Sequence, residues 1–277
     1  MITSIVDNGK EMLASPIKPT IWRAPTDNDR KLAPKWREKF FDRMALDCNG
    51  TSVSEINDRY VRINTSLTLS GYGVKPAVTV DVTYTVYADG GLVLDAVAKH
   101  HADVCNGKAF ELPRFGFEFT MPEHSEYIRY FGRGEVENYA DLNKASKIGV
   151  YQTTASENFE HYVKPQENSA HGETRWMTVA NASGQGLCVL SADKPFSFNC
   201  SHFTANDLSR AAHDYELIPR KETVVNIDYA HAGIGSASCG PTLAEQYRLC
   251  GREMKLSFRI LPANVNDVAL SDEYGRK

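Results

Sequence analysis

No run of apolar residues in this sequence approaches the ~20 needed to cross a bilayer as a helix, and the N-terminus lacks the basic-then-apolar pattern of a secretion signal. A helical membrane protein and a leader peptide are therefore not read here. MITSIVDNGKEML starts directly in a strand-like run, as expected of a chain cut from a longer protein. The expected compartment is the cytoplasm, with the periplasm left open because the native start is expected to lie elsewhere. Cysteine is sparse: Cys48, Cys105, Cys188, Cys200, Cys239 and Cys250 form no CxxC pair, which sets aside a disulfide-stapled fold and a close-spaced zinc site. They are expected mostly to be free thiols, with Cys188 and Cys200 inside strands. GxSxG, P-loop and HExxH motifs are missing, and no GxGxxG stands at a strand-to-helix junction, so the commonest hydrolase, nucleotide and zinc chemistries have no anchor. A formal charge of -4 offers no basic surface for nucleic acid. Neither a metal nor a cofactor is expected in this chain.

What is present is an ordinary globular composition, 42% hydrophobic and 24% charged over 277 residues, ample for a large core. Its dominant pattern is period-2 alternation between turn residues, the mark of strands with one buried face. Runs at 60–71 and 78–100 alternate, the second broken by Asp89-Gly90-Gly91, a hairpin signal. Further strands are expected within 112–122, 175–203, 223–233 and 254–262, each bounded by Gly, Pro, Asn or Asp. Helix is expected only at 34–45, with Pro34 near its start, at 201–213, capped by Thr204, and as a short turn at 242–249. So many strands with so few helices predict an all-β fold of two large antiparallel sheets packed face to face. Without a linker or an internal repeat, residues 1–277 read as a single domain, with 263–277 as a tail.

Four irregular stretches carry chemical character. PIKPTIWRAPTDNDR (16–30) joins rigid proline turns to Asp27, Asn28 and Asp29, which suits a sugar, a calcium ion, an interdomain contact or a plain Asx-turn loop. In YFGRGEVENYADLNKASKIGVYQ (130–152), Gly132 and Gly134 would allow tight turns beside Glu135, Glu137, Asn138, Tyr139 and Asp141. Aromatic rings next to carboxylates and amides suit saccharides. HYVKPQENSAHGETRW (161–176) is similar in kind, with Gln166, Glu167, Asn168 and His171. YAHAGIGSASCGPTL (229–243) makes a small-residue loop that another surface can approach closely. Glu135 and Glu167 are a conceivable glycosidase pair, but such pairs depend on a separation that sequence does not display. An epimerase would need a histidine and a carboxylate, and His171, His202, His213 and His231 are its candidates.

In this order, WRAPTDND (22–29), FGRGEVENYAD (131–141), YVKPQEN (162–168), FNCSHFT (198–204) and HAGIGSASCGP (231–241) resemble the C-terminal, small-chain domain of the family 2 β-galactosidases over nearly the whole chain. The resemblance implies a galactose-mutarotase-like β-supersandwich at the end of an enzyme that hydrolyses terminal β-D-galactosides with retention. It also implies that the catalytic glutamates, and the Mg and Na ions of that family, belong to a barrel domain outside this chain, so no catalytic residue is expected here. The barrel is then the expected partner, with galactoside at the shared site edge. The candidate substrate-edge residues are Asp27, Asn28, Glu135, Asn138, Ser238 and Cys239. In the family a Trp in the last of these loops stacks on the sugar. This sequence has Cys239 there, in a slightly shorter loop, and a thiol has no aromatic face. A free-standing galactoside-binding module and an aldose 1-epimerase are the alternatives. A domain that docks on a barrel is also expected to expose an apolar patch.

Overall fold

The computed structural model describes residues 1–101, 110–235 and 239–264. In chain order its strands are Val6–Asp7 (β1), Lys10–Glu11 (β2), Lys18–Thr20 (β3), Ala45–Ile56 (β4), Tyr60–Ser70 (β5), Val78–Tyr87 (β6), Leu92–His100 (β7) and Arg114–Met121 (β8). They continue with Tyr127–Gly134 (β9), Lys147–Thr154 (β10), His171–Thr174 (β11), Trp176–Ala180 (β12), Gln185–Ser191 (β13), Phe196–Ser201 (β14), Thr223–His231 (β15) and Glu253–Asn264 (β16). Ala33–Glu38 (α1) and Ala205–Arg210 (α2) are the α-helices among the described residues. A nine-stranded sheet runs β10-β9-β12-β13-β16-β7-β6-β5-β4, and a five-stranded sheet runs β11-β14-β15-β8-β3. Every pairing within them is antiparallel. Pro19, which has no N–H to give, sits in the edge strand β3, where the loss costs least.

Alternation explains how the two sheets meet. Along β6, Val78, Val80, Val82 and Tyr84 are buried, while Asp81 and Thr83 on the other face bond across strands to Ser66 and Asn64, both at 2.9 Å. Phe115, Phe117 and Phe119 of β8 face the same core as Leu256, Phe258 and Ile260 of β16. Phe117 and Phe258 touch edge to face across the gap, with centroids 5.9 Å apart. Each such ring removed from water contributes about 1.5–3 kcal/mol.

The sheets and the Asp89–Gly91 hairpin agree with the sequence reading, and the helices are shorter than expected. In place of one helix over 34–45, a 3-10 turn (Asp27–Lys31), α1 and a second 3-10 turn (Phe41–Arg43) follow one another. Phe40 takes a left-handed conformation that ends α1's run, and β4 begins at Ala45. Helix α2 covers only the centre of 201–213, capped by Thr204 in a reciprocal box with Asp207, and 242–249 contributes only the 3-10 turn Glu245–Tyr247. Gly132 and Gly134 are not turn residues. They lie inside β9, where an added Cβ would meet Thr174 Oγ1 and Tyr130 Oη, both at 2.4 Å. Ala263 and Asn264 belong to β16, and the rest of the expected tail lies outside the described residues. Cys48, Cys188 and Cys200 are free thiols.

Candidate functional site

The irregular stretches singled out in the sequence converge, and Arg23 starts the convergence. Its guanidinium is fully buried beside the Trp36 ring and donates from Nη2 to both oxygens of Asp29, at 2.9 and 3.0 Å. Asp29 in turn accepts the Thr26 N–H at 2.9 Å, which fixes the TDND turn. Its terminal nitrogens also reach a segment more than 200 residues away: Nη1 donates to the Ala232 carbonyl and Nη2 to that of Gly233 at 3.3 Å. Asn28 Nδ2 donates to the Ile234 carbonyl at 2.8 Å. From the second stretch, Asp141 accepts the N–H of Ile234 at 3.0 Å and that of Gly235 at 2.6 Å. Glycine is needed on both sides of this grip, because a Cβ on Gly233 or Gly235 would come within 2.7 or 2.6 Å of the Asp141 carboxylate. The third stretch joins by side chain and backbone: Asp27 N–H donates to Gln166 Oε1, and Glu167 N–H to the Ala24 carbonyl, each at 3.0 Å.

Beneath the loops lies a buried ionic cluster. Arg114 opens β8, and its Nε donates to Asp228 Oδ1 at 3.1 Å while Nη2 bonds Asp228 Oδ2. Glu167 Oε2 stands 3.8 Å from Arg114 Nη1, and His231 Nε2 is 3.0 Å from Asp228 Oδ2. Residues three apart in a strand normally face opposite ways. A bulge between Asp228 and Ala230 inserts one extra residue, which returns both Asp228 and His231 to the side of Arg114. Burial alone would raise the Asp228 carboxyl, but the Arg114 guanidinium and His231 override it and hold the group below its ordinary value.

The predicted site residues are dispersed by this arrangement. Asn28 is half-buried and grips the glycine loop, and Asp27 is exposed next to it. Asn138 is buried and bonds only backbone: Nδ2 donates to the carbonyls of Arg133 and Val136, and Oδ1 accepts the Gly172 N–H. It positions the turn after β9. Glu135 is exposed beyond the end of β9, whereas Glu167 is 3% exposed and engaged by Arg114 and Asn199, so the two carboxylates do not face a common substrate. Cys239 is exposed, and Ser238 lies outside the described residues. The four histidines do not form one centre either. His171 is buried against Tyr130 and Asn158, His202 pairs with Glu126, His213 stacks on exposed Tyr215, and His231 belongs to the ionic cluster.

Arg23, Asp29, Arg114, Asp141 and Asp228, which hold the site together, were not among the predicted site residues. Arg114 in LPRFGFEF and Asp228 in TVVNIDYAH are marked in the sequence only as charges inside apolar strands, whereas Arg23, Asp29 and Asp141 stand in the irregular stretches already singled out. The calcium alternative for 16–30 gains no geometry, since Arg23 occupies the Asp29 carboxylate; among the described residues no group of three or more His, Cys, Asp or Glu side chains could hold a metal ion.

What the arrangement does is hold Ala232 to Gly235 in place. Asp141→Ala is expected to speed amide hydrogen exchange at Ile234 and Gly235 about 10- to 100-fold, the factor for losing hydrogen bonds to a charged group. Unchanged exchange at both amides would mean that the carboxylate does not secure the loop.

A family model described as "Beta galactosidase small chain" matches residues 1–260. The β-galactosidase of Actinobacillus pleuropneumoniae is 34% identical over 253 residues, 91% of this chain and 24% of that protein. That of Staphylococcus xylosus is 31% identical over 259 residues, 94% of this chain and 25% of that protein. The chain thus spans about a quarter of the length of these relatives. Among solved structures, a GalM/aldose epimerase homologue from C. elegans covers 78% of this chain and 69% of its own at 12% identity and a TM-score of 0.38, a likeness that says nothing of chemistry. With its family model spanning 260 residues, the chain belongs to the β-galactosidase small-chain family.

Proposed function

We propose that this chain is the part of a β-galactosidase that completes the edge of an active site whose catalytic carboxylates lie in the remainder of the enzyme, and that the full assembly hydrolyses terminal β-D-galactosides. The observation that carries this reading is the clamped glycine loop. Arg23, Asn28 and Asp141, from three separate stretches, fix Ala232 to Gly235, and exposed Cys239 follows in the same loop. Such a construction serves presentation of a surface better than turnover. The carboxylates beneath it, Asp228 and Glu167, are committed to Arg114. In this reading Cys239 lines the site's edge and supplies contact without stacking. The expected partner is the large-chain portion, the other three quarters of the relatives' length.

Sedimentation tests the partnership. Mixed with the Actinobacillus pleuropneumoniae β-galactosidase from which the matched quarter has been removed, this chain is expected to migrate with it as one complex. Separate boundaries at micromolar concentrations of both would refute the partnership.

A further inference from the structure

Val163, Tyr215 and Ile218 are 83%, 82% and 84% exposed, and they stand on two segments bonded to each other. The Asp214 N–H donates to the Val163 carbonyl at 3.3 Å, and His161 Nδ1 lies 2.8 Å from Asp214 Oδ2. Neither segment is loose. Leu217 N–H closes the 3-10 turn Asp214–Glu216 onto the Asp214 carbonyl at 3.0 Å, Glu216 Oε2 accepts the Ala212 N–H at 2.8 Å, and Tyr215 lies flat on His213 with centroids 5.1 Å apart. On the inner side Leu217 is seated against a small core of Ala24, Phe159 and Leu208. Downstream, Arg220 grips Asp207 of α2 with two bonds, at 2.6 and 3.0 Å.

We infer that this surface is the face on which the large-chain portion of the β-galactosidase docks, an inference that rests on the function proposed above. Isolated exposed apolar side chains are normal on any surface, but three grouped on a preordered support are the pattern of a recognition site. Because hydrogen bonds already fix the backbone, a partner covering it loses little ordering entropy. Two observations identify the occupant. The relatives carry about three times as much chain again as this one, which is what remains to cover an exposed face. The patch also shares its supports with the candidate site: Leu217 packs on Ala24, which follows Arg23, and Val163 stands three positions before Gln166, whose Oε1 accepts the Asp27 N–H. The matching surface on the large portion is expected to be apolar, with Tyr215 as the anchoring aromatic.

Calorimetric titration with the truncated Actinobacillus pleuropneumoniae enzyme tests the assignment. Ile218→Asp and Val163→Asp are each expected to raise Kd about 30-fold or more, the size of a buried hot spot. Ile56→Asp, on the exposed strand β4, is the control and is expected to bind as the wild type does. All three side chains face solvent, so unfolding temperatures should match the wild type. If the wild type binds and the two patch variants bind equally well, the docking face is elsewhere and this inference alone fails. Absence of binding by the wild type would bring down the proposed partnership itself, and the docking face with it.

Discussion

Replacing Asp228 by alanine is expected to cost about 3–5 kcal/mol of folding stability, the range for breaking a buried ion pair from one side. The loss would come less from the missing bond than from what remains. Arg114 is 1% exposed and could not rehydrate; the next carboxylate, Glu167, stands 3.8 Å away, and His231 would lose the acceptor of its Nε2–H. Exchanging Asp228 for asparagine keeps the shape and removes the charge, and a smaller but still measurable loss is expected. Urea denaturation supplies the test, with the midpoint shifted and the slope unchanged. A shift worth less than about 1 kcal/mol would mean that Arg114 has a water path absent from the structure.

Stability is also expected to fall as the solution is acidified from about pH 6.5 to about pH 4. Burial lowers His171 and His100 from 6.5 to about 4. Burial and the neighbouring Arg252 charge together disfavour a charged ring at His100. At His171, Asn158 turns its amide hydrogens to the carbonyls of Ser169 and Cys200, which leaves Oδ1 to accept the Nε2–H; Tyr130 O–H then donates to Nδ1 of a neutral imidazole. Since the folded values lie below the unfolded one, the unfolded chain takes up the protons first. Stability is therefore complete above pH 6.5 and declines down to the folded values, by about 3 kcal/mol for each histidine. Glu111 and Glu137, raised by burial, act in the opposite sense and make the net loss smaller than the sum of the two. Below that window Asp207, lowered to about 2 chiefly by Arg220 and Thr204 against its burial, extends the decline. Urea unfolding between pH 7.5 and 4.5 measures the slope. His171→Gln should flatten it, and a flat wild-type profile would show that neither ring is held neutral.

How far the sequence reveals the molecule depends on whether one face of an element is dry. Strands β5 to β7 are legible because Leu67, Val80 and Leu94 face the core while Asp81 and Asp95 face water. Strand β4 is illegible for the converse reason. Its twelve residues are almost all exposed, and two bulges interrupt its register with β5, so neither alternation nor apolar content marks it. In β9, Gly132 and Gly134, which admit Thr174 and Tyr130 at close range, look like turn residues. The site obeys a further limit. Arg23 and Ala232 are 209 positions apart, and no local pattern announces that they meet. Ordered motifs indicated the family and the stretches that matter. Which side chain in each stretch holds which other follows only from the fold, as with Asp141 and the amides of Ile234 and Gly235.

The central claim, that this chain completes a β-galactosidase active site without containing its catalytic pair, is tested most directly by hydrolysis of a chromogenic β-galactoside. The chain alone should give no turnover above buffer. Added to the truncated Actinobacillus pleuropneumoniae enzyme, it should produce turnover that saturates as the two reach equal concentrations. Hydrolysis by this chain in isolation would contradict the account and place a catalytic pair among its own carboxylates.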